Sequence, residues 1–360
     1  MTPSPAVLRP GLWLIGLAVL GGGCASNVKV REAMLVSPAN GVAVAETKVP
    51  ETPSGYQRAL LPLMNAGDAQ RFAGNYEQSL AHFENADQVI NYWDREGRLL
   101  GVFENVAALA ANDYVITYRG YEWEGILVNT YKALNLLAMG QTTAARTEFL
   151  RVDDRQRRAV ERFADEIDEA LAQQQPRSLD RDRERAIEQI NPEGRSELQI
   201  DRLISERYPN IERWSVYPDF VNPFATYLHG LYFLLAPADE FDWGSRASRA
   251  LRRSVGMVPN NAYLREDLRL VEQLINGTLN FAEVPPTTWV FVENGLGPTM
   301  RSQTIPIPIP LEAGTIYLPL AIPLFDDGQD AVAGIEVRSG KEAATTAELV
   351  NFNAVIGAEF

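Results

Sequence analysis

The stretch that decides the fold reads Gly67-Asp68-Ala69-Gln70-Arg71-Phe72-Ala73-Gly74-Asn75-Tyr76-Glu77-Gln78-Ser79-Leu80-Ala81-His82-Phe83-Glu84-Asn85-Ala86. Small residues stand at Gly67, Gly74, Ser79 and Ala86, and bulky rings stand at Tyr76 and Phe83. Two antiparallel helices that pack closely need small residues at their contact and a turn former between them. The stretch therefore predicts a helix, a Gly74-Asn75 turn and a second helix.

The same arrangement recurs farther along the chain. A predicted helix ends at Gly140, and Ala145 and Phe149 follow it at the offsets of the first copy. A looser third copy runs through residues 224–261. These units resemble the tetratricopeptide (TPR) repeat, a helix-turn-helix unit of about 34 residues that stacks into a solenoid. The resemblance implies a mainly α fold, an irregular TPR-like α-solenoid.

The first residues are typical of a secretory signal. Residues 1–23 hold one base, an apolar core and three glycines directly before Cys24, the only cysteine of the chain. The apolar core is shorter than the ~20 residues of a spanning helix, as expected for a signal peptide. The run Leu20-Gly21-Gly22-Gly23-Cys24 resembles a bacterial lipobox, which implies lipidation of Cys24, with acyl chains such as palmitate. An ordinary signal peptide with an incidental cysteine is the alternative.

The lipobox resemblance also implies a location. Several acyl chains on Cys24 hold a protein stably on a membrane. Ala25 follows the cysteine in place of Asp, which predicts the outer membrane with the protein facing the periplasm. Residues 24–54 contain several prolines and little apolar periodicity, and they are predicted to form a flexible tether.

The rest of the chain is predicted to form two domains. Residues 55–282 have helical periodicity and are assigned to the TPR-like helical domain, with a charged excursion over about residues 177–210. Residues 283–360 are assigned to a small β-rich module, because alternating patterns at 287–293, 315–322 and 331–338 predict strands. The Ile-Pro run at 305–310 lacks an N–H at each proline, so it is predicted to be an edge strand or a polyproline segment.

Four motifs carry a family resemblance: Asn222-Pro223-Phe224-Ala225-Thr226-Tyr227-Leu228-His229-Gly230-Leu231-Tyr232, Pro259-Asn260-Asn261, Val292-Glu293-Asn294-Gly295 and Ile305-Pro306-Ile307-Pro308. They are similar to segments of an uncharacterised family of Gram-negative bacterial lipoproteins with a TPR-like helical core and a small C-terminal β module. The resemblance implies an envelope location, no established enzymatic activity, and partners among other envelope proteins, possibly lipoproteins.

Two groups of residues are candidates for partner binding. The aromatic group is typical of protein interfaces, and it consists of Tyr118, Tyr121, Trp123 and Tyr131. The alternative for these rings is a core between stacked helices. The aliphatic group, an apolar rail in the Ile-Pro run, consists of Ile305, Ile307 and Ile309. The alternative for the rail is an edge strand that closes a small sandwich.

Composition excludes several functions. With 33 basic and 47 acidic residues the net charge is -14, which argues against nucleic acid as a partner. The two histidines, His82 and His229, are far apart in sequence, and no zinc or nucleotide-binding motif is present. The sequence therefore predicts no metal, no cofactor, no catalytic residue and no enzymatic activity.

The prediction from sequence is a lipid-anchored periplasmic scaffold that binds envelope proteins through its stacked helices. Two alternatives stay open. One is a cell-wall glycan hydrolase or glycan-binding protein that uses paired carboxylates. The other is a subunit of an oligomeric envelope or surface assembly.

Overall fold

The computed structural model describes residues 30, 33–34, 36–50, 55, 59–96, 118–173, 217, 222–235, 241–295, 297–311, 314–326, 328, 331–339 and 342–357. Within them the chain is mainly helical, with two small two-stranded sheets toward the C-terminal end. The prediction of a mainly α fold with a small C-terminal β part is therefore confirmed. The predicted signal peptide, Cys24 and the charged excursion lie outside the described residues.

The helices of the described chain are α1 (Pro38–Glu46), α2 (Leu60–Phe72), α3 (Tyr76–Glu96), α4 (Glu122–Ala138), α5 (Thr142–Gln173), α6 (Pro223–Leu235), α7 (Trp243–Met257), α8 (Ala262–Ile275) and α9 (Phe352–Gly357). From α1 to α8 each helix packs against the next one in the chain, and α6 also contacts α4 and α8. Contacts between neighbours in sequence therefore build the helical body.

The first helix pair forms as its sequence predicts. Gly74 ends α2 with a φ of 80°, a left-handed conformation that glycine adopts without strain. A Cβ atom built on Gly67 would lie 2.8 Å from the ring of Phe83. The Ser79 hydroxyl donates to the Gly67 carbonyl at 2.6 Å. Helices α2 and α3 are therefore in close contact at their small residues.

The second pair, α4 and α5, repeats this turn. Gly140 has a φ of 75°, and Ala145 and Phe149 are buried in the core. The two pairs are linked by a hydrogen bond from Asn135 Nδ2 to Ser79 Oγ at 2.8 Å.

The structure differs from the predicted flexible tether over residues 38–46, which form α1. Ser37 caps this helix by accepting from the Asn40 N–H at 3.2 Å. Pro38 follows at the start of the helix, where the N–H that proline lacks is not needed. Ala45 is buried, and the cluster that contains it includes Ala66 and Ala69 of α2. Pro38, which predicts a flexible tether from the sequence alone, is thus a helix-start signal.

The β part consists of two antiparallel hairpins. Strand β1 (Thr299–Leu311) pairs with β2 (Gly314–Asp326), and β3 (Glu336–Ser339) pairs with β4 (Glu342–Thr345). The Ile-Pro run lies in β1 and is therefore a strand, but among the described residues its sheet has only two strands, so the small sandwich of the edge-strand alternative is not seen there. The predicted strand at 315–322 lies within β2, and that at 331–338 is strand only from residue 336.

The strand predicted at 287–293 is wrong, because these residues have no regular secondary structure. Trp289, Phe291 and Glu293 contact helices instead of a neighbouring strand. The alternation in the sequence thus reflects a segment that contacts a helical surface with every second residue.

Candidate functional site

Four helices form a surface that the C-terminal part of the chain crosses. Residues 289–293, here called the crossing segment, contact α8 through Trp289, α6 through Phe291, and α2 through Glu293. The surface beneath them, here called the first-helix face, is made by α2, α4, α6 and α8. Its contacting residues are Arg71, Tyr131, Phe224, Tyr227 and Asp267.

A buried ionic cluster holds one end of the crossing segment. Arg71 Nη2 donates to both carboxylate oxygens of Glu293, at 2.8 Å and 3.1 Å. The same nitrogen donates to Asp68 Oδ1 at 3.0 Å. The guanidinium carbon lies 4.1 Å from the ring centre of Tyr131, whose hydroxyl donates to Glu293. The two carboxylates, the guanidinium and the phenol therefore satisfy one another's hydrogen bonds and charges away from water.

Burial governs the protonation of this cluster. It raises the pKa of Asp68 from 3.8 to about 6, although Arg71 opposes the shift. Burial also raises the pKa of the Tyr131 hydroxyl well above its ordinary value, so this group stays protonated and donates. For Arg71, burial alone would lower the pKa, but Glu293 and Asp68 outweigh it and raise the pKa. The arginine is therefore a fixed positive charge that selects a carboxylate.

The other end of the crossing segment is held by a neutral donor. Trp289 Nε1 donates to Asp267 Oδ2 at 3.2 Å, and the Tyr227 hydroxyl donates to the same oxygen. Burial raises the pKa of Asp267 above its usual range. Between the two ends, the ring of Phe291 packs 6.1 Å from that of Phe224 and 5.8 Å from that of Tyr227. Alternate residues of one segment thus meet two polar sites and one aromatic site.

Beside the crossing segment lies a cavity of about 350 Å³, within the range of ~300–1,000 Å³ that is usual for ligand pockets. Trp123, Tyr131 and Phe224 line it from the helices, and Glu293 lines it from the crossing segment. Residues 350–353 close it from the C-terminal side. Glu348 also borders the cavity, but it is exposed, and Glu293 is held by Arg71. This pair of acids therefore does not supply the buried general acid of a hydrolase.

The structure brings only part of the predicted partner-binding set to this site. Trp123 and Tyr131 border the cavity, and both are buried core residues. Tyr118 and Tyr121 pack against that core, and the Tyr118 hydroxyl donates to Glu124 at 2.6 Å. For Trp123 and Tyr131, the alternative of a core position between stacked helices is therefore the correct one. Ile305, Ile307 and Ile309 lie in β1, which pairs with β2 and not with the first-helix face. Cys24 lies outside the described residues.

Sequence reasoning missed the ionic cluster. A signal was present in α2, where Leu60, Met64 and Arg71 recur at spacings that share one helical face with Asp68. Charged residues on an apolar face indicate buried partners. The partner could not be read from the sequence, because Glu293 stands 222 residues from Arg71.

A second buried ionic network joins α3, α4 and α5. Arg155 donates to Asp87 at 2.6 Å and to Asn129 at 2.6 Å, and Lys132 donates to Asp87 at 3.0 Å. Burial would raise the pKa of Asp87, but Lys132 and Arg155 outweigh it and lower the pKa. Lys132 also pairs with Glu148 at 3.2 Å. Because these charges satisfy one another between the helices, we assign the network to helix packing.

The described residues offer no metal site, since no group of three or more His, Cys, Asp or Glu among them could hold an ion. The histidines stay apart. His229 Nδ1 lies 2.9 Å from the Phe149 carbonyl oxygen, and His82 Nε2 lies 2.7 Å from Glu46.

The class that fold and site define is a mainly helical protein whose sequentially packed helices hold a distant segment of the same chain across one face. Comparison with protein-family models, curated proteins and solved structures gives no match to this chain. Among the described helices, none combines the length and the apolar character needed to cross a bilayer.

Proposed function

We propose that this protein is a scaffold of the bacterial cell envelope that binds extended segments of other proteins on a TPR-like α-solenoid. In the proposal it is anchored in the outer membrane through acylated Cys24 and faces the periplasm. Its partners are other envelope proteins, possibly lipoproteins.

The observation that carries the proposal is the crossing segment. The first-helix face holds an irregular chain through every second residue, by a carboxylate at Arg71, an aromatic ring at Phe224 and Tyr227, and an N–H donor at Asp267. Recognition of alternate residues of an extended chain is a recurring mode of peptide binding. A partner segment with the same aromatic-x-aromatic-x-acidic order fits this face once the crossing segment leaves it.

The experiment is to supply the segment in trans. The variant Trp289→Ala, Phe291→Ala, Glu293→Gln vacates the face, and a labelled peptide of residues 287–295 (TTWVFVENG) is titrated while its fluorescence anisotropy is followed. We expect saturable binding to the variant and much weaker binding to the parent protein, whose face is occupied. A peptide with Gln in place of its Glu is the matched control, and we expect it to bind the variant more weakly.

Absence of saturable binding to a vacated variant with unchanged helical circular dichroism contradicts the proposal. If the triple variant loses helical structure, the single variant Glu293→Gln is used in its place. In cells, photo-crosslinking from exposed Thr288 with mass spectrometry identifies the partner, and the same experiment with Cys24→Ser tests the anchor. No described residue favours the hydrolase alternative over binding.

A further inference from the structure

An exposed apolar patch lies where α7 begins and α8 ends. The ring of Trp243 contacts that of Phe281 edge-on, with 5.0 Å between the ring centres. Ile275 lies against Gly244, since a Cβ built on this glycine would come within 2.9 Å of the isoleucine side chain. Phe241 is fully exposed, and Ile275 and Phe281 are exposed as well. The aromatic patch, as it is called here, consists of Phe241, Trp243, Ile275 and Phe281.

The backbone beneath the aromatic patch is fixed by local hydrogen bonds. Gly277 ends α8 with a φ of 69°, the left-handed conformation usual after a helix. The backbone N–H and the Nδ2 of Asn280 both donate to Glu283 Oε2, at 2.9 Å and 3.1 Å, and cap the 3-10 turn that carries Phe281. Trp243 packs partly against the core. The patch is therefore preorganised, which lowers the entropic cost of binding a partner.

Arginines from two helices stand together beside the same end of α6. The guanidinium carbons of Arg146 and Arg246 lie 5.7 Å and 5.4 Å from the centre of the Phe233 ring. Arg249 lies close enough to act on the same helix: burial lowers the pKa of His229, and the charges of Arg246 and Arg249 act in the same direction. Because Arg246 is one helical turn from Trp243, these arginines border the aromatic patch.

Helix α7 is basic within an acidic protein. Its 15 residues contain four arginines and no Asp or Glu, whereas the whole chain has a net charge of -14. Arg246 pairs with Asp242, and Arg252 pairs with Glu272. Arg249 is exposed and has no hydrogen-bonding partner within the part of the chain that the structure describes. The charge of Arg249 is therefore available to a partner.

We propose that the aromatic patch and the arginines beside it bind an acidic segment of another protein, one with apolar side chains between its carboxylates. The apolar side chains pack on Trp243 and Phe281, and a carboxylate pairs with Arg249. This site shares no residue with the first-helix face. It is therefore a second protein-binding surface, and its use does not require the crossing segment to leave.

Composition and charge select this occupant. Protein interfaces are enriched in aromatic residues and Arg, as this site is. At about 0.1 M salt, charges farther away than ~10 Å are largely screened, so a short acidic segment is influenced mainly by the nearby arginines. An anionic bilayer, a nucleic acid or a second copy covers more of the surface and meets more of the acidic residues behind the net charge of -14.

The test uses the chain from residue 24 onward with Cys24→Ser, and a fluorescein-labelled peptide, EEFLEEFLEE, followed by anisotropy at low ionic strength. The variant Phe241→Ser, Arg249→Gln changes two exposed side chains, so we expect its helical circular dichroism to be unchanged. We expect saturable binding to the parent and a Kd at least about tenfold higher for the variant. The control Val36→Ser, Arg269→Gln changes an exposed valine and an exposed arginine elsewhere and is expected to bind like the parent.

Two further peptides separate the contributions of charge and apolar contact. QQFLQQFLQQ lacks the carboxylates and EEGSEEGSEE lacks the apolar side chains, and we expect both to bind the parent more weakly than EEFLEEFLEE. Unlabelled TTWVFVENG is not expected to compete, so this test and the test of the first-helix face fail independently. In hydrogen exchange, we expect EEFLEEFLEE to slow the amides of residues 280–283 and not those of α2.

The proposal would be overturned by a parent that shows no saturable binding up to about 1 mM peptide, by equal binding to the double variant, or by displacement with TTWVFVENG. Phosphatidylglycerol vesicles that bind the parent and not the double variant, while the peptide binds neither, would overturn it in favour of lipid. A parent that is dimeric and becomes monomeric in the double variant would overturn it in favour of a second copy.

Discussion

At the scale of single residues, Asp68 links stability to pH. Its pKa is raised by burial from 3.8 to about 6 in the folded protein, so the folded state binds the proton more tightly than the unfolded chain. The stabilisation from this proton is complete below about pH 3.8 and is lost as the pH rises through about 6. Acidification therefore favours the folded state at this site.

We predict that between pH 7 and pH 4 the parent protein gains about 2 kcal/mol of unfolding free energy relative to Asp68→Asn, because the raised pKa contributes ~1.4 kcal/mol per pKa unit and the effect is not yet complete at pH 4. Urea unfolding of both proteins across this pH range measures the difference. Parallel pH profiles would show that Asp68 has the same pKa in the folded and unfolded chains.

A matched pair of arginines in α5 tests the second ionic network. Arg155 has a side chain that is 4% exposed and pairs with Asp87, whereas the Arg157 side chain is 61% exposed and pairs with Asp154 and Glu161. Loss of one member of a buried ion pair leaves an uncompensated charge. We expect Arg155→Leu to lower the unfolding free energy by about 3–5 kcal/mol. We expect Arg157→Leu to leave the unfolding free energy nearly unchanged, because its ion pairs are exposed to water. Chemical denaturation measures both, and equal losses would contradict the assignment.

The contacts of the first helix pair, α2 and α3, could be predicted because the partners are local. Gly67, Ser79 and Phe83 meet across one turn, so small and bulky residues at fixed spacing are sufficient evidence. The contact of Arg71 with Glu293 has no such signature in the sequence, because the residues around Arg71 do not indicate that its partner is Glu293. Long-range polar pairs of this kind need the three-dimensional structure.

At the scale of the element, two glycines on helices have opposite surroundings. A Cβ on Gly67 would meet the Phe83 ring at 2.8 Å, whereas a Cβ on Gly256 in α7 would have no atom within 4 Å. We expect Gly67→Ala to destabilise the protein by about 1–3 kcal/mol through overpacking. We expect Gly256→Ala to stabilise it by up to about 1 kcal/mol, because alanine is the better helix former. Thermal unfolding measures both, and a stabilising Gly67→Ala would show that α2 and α3 separate easily.

Helices and strands were predicted correctly where the spacing of apolar residues and a turn-forming residue indicated the same element. The prediction was wrong at 287–293, where only the spacing of apolar residues was present. Helices α2 and α3 meet at the Gly74 turn, and α4 and α5 meet at the Gly140 turn. At 287–293 a period of two was present, but such a period reports only that every second residue meets an apolar surface. It does not distinguish a neighbouring strand from a row of helices, and here the surface is helical. Pro38 is ambiguous for a related reason, because proline is common both in flexible segments and at the first position of a helix.

At the scale of the whole molecule, Phe291 joins the two main core clusters. It packs against the cluster around Tyr131 and Phe83 and against the cluster around Tyr227 and Leu251. We predict that Phe291→Ala lowers the unfolding free energy by about 3–5 kcal/mol and separates unfolding into two steps, because the clusters lose a shared side chain. Calorimetry of this variant measures the effect. Phe281→Ala removes an aromatic side chain that is 42% exposed, and we expect a smaller loss and a single transition.

The distance in sequence between Arg71 and Glu293 has a consequence for the order of folding. The helices contact their neighbours in the chain, so each can dock soon after it is made. The crossing segment can dock on these helices only after the last third of the polypeptide has been made, because its contact with Arg71 closes a very large loop. Until then, Arg71 and Asp68 remain uncovered and hydrated while the helices are already packed. We expect folding to end with a single, late docking event. Chains that stop after α8 should be the ones that chaperones and proteases recognise.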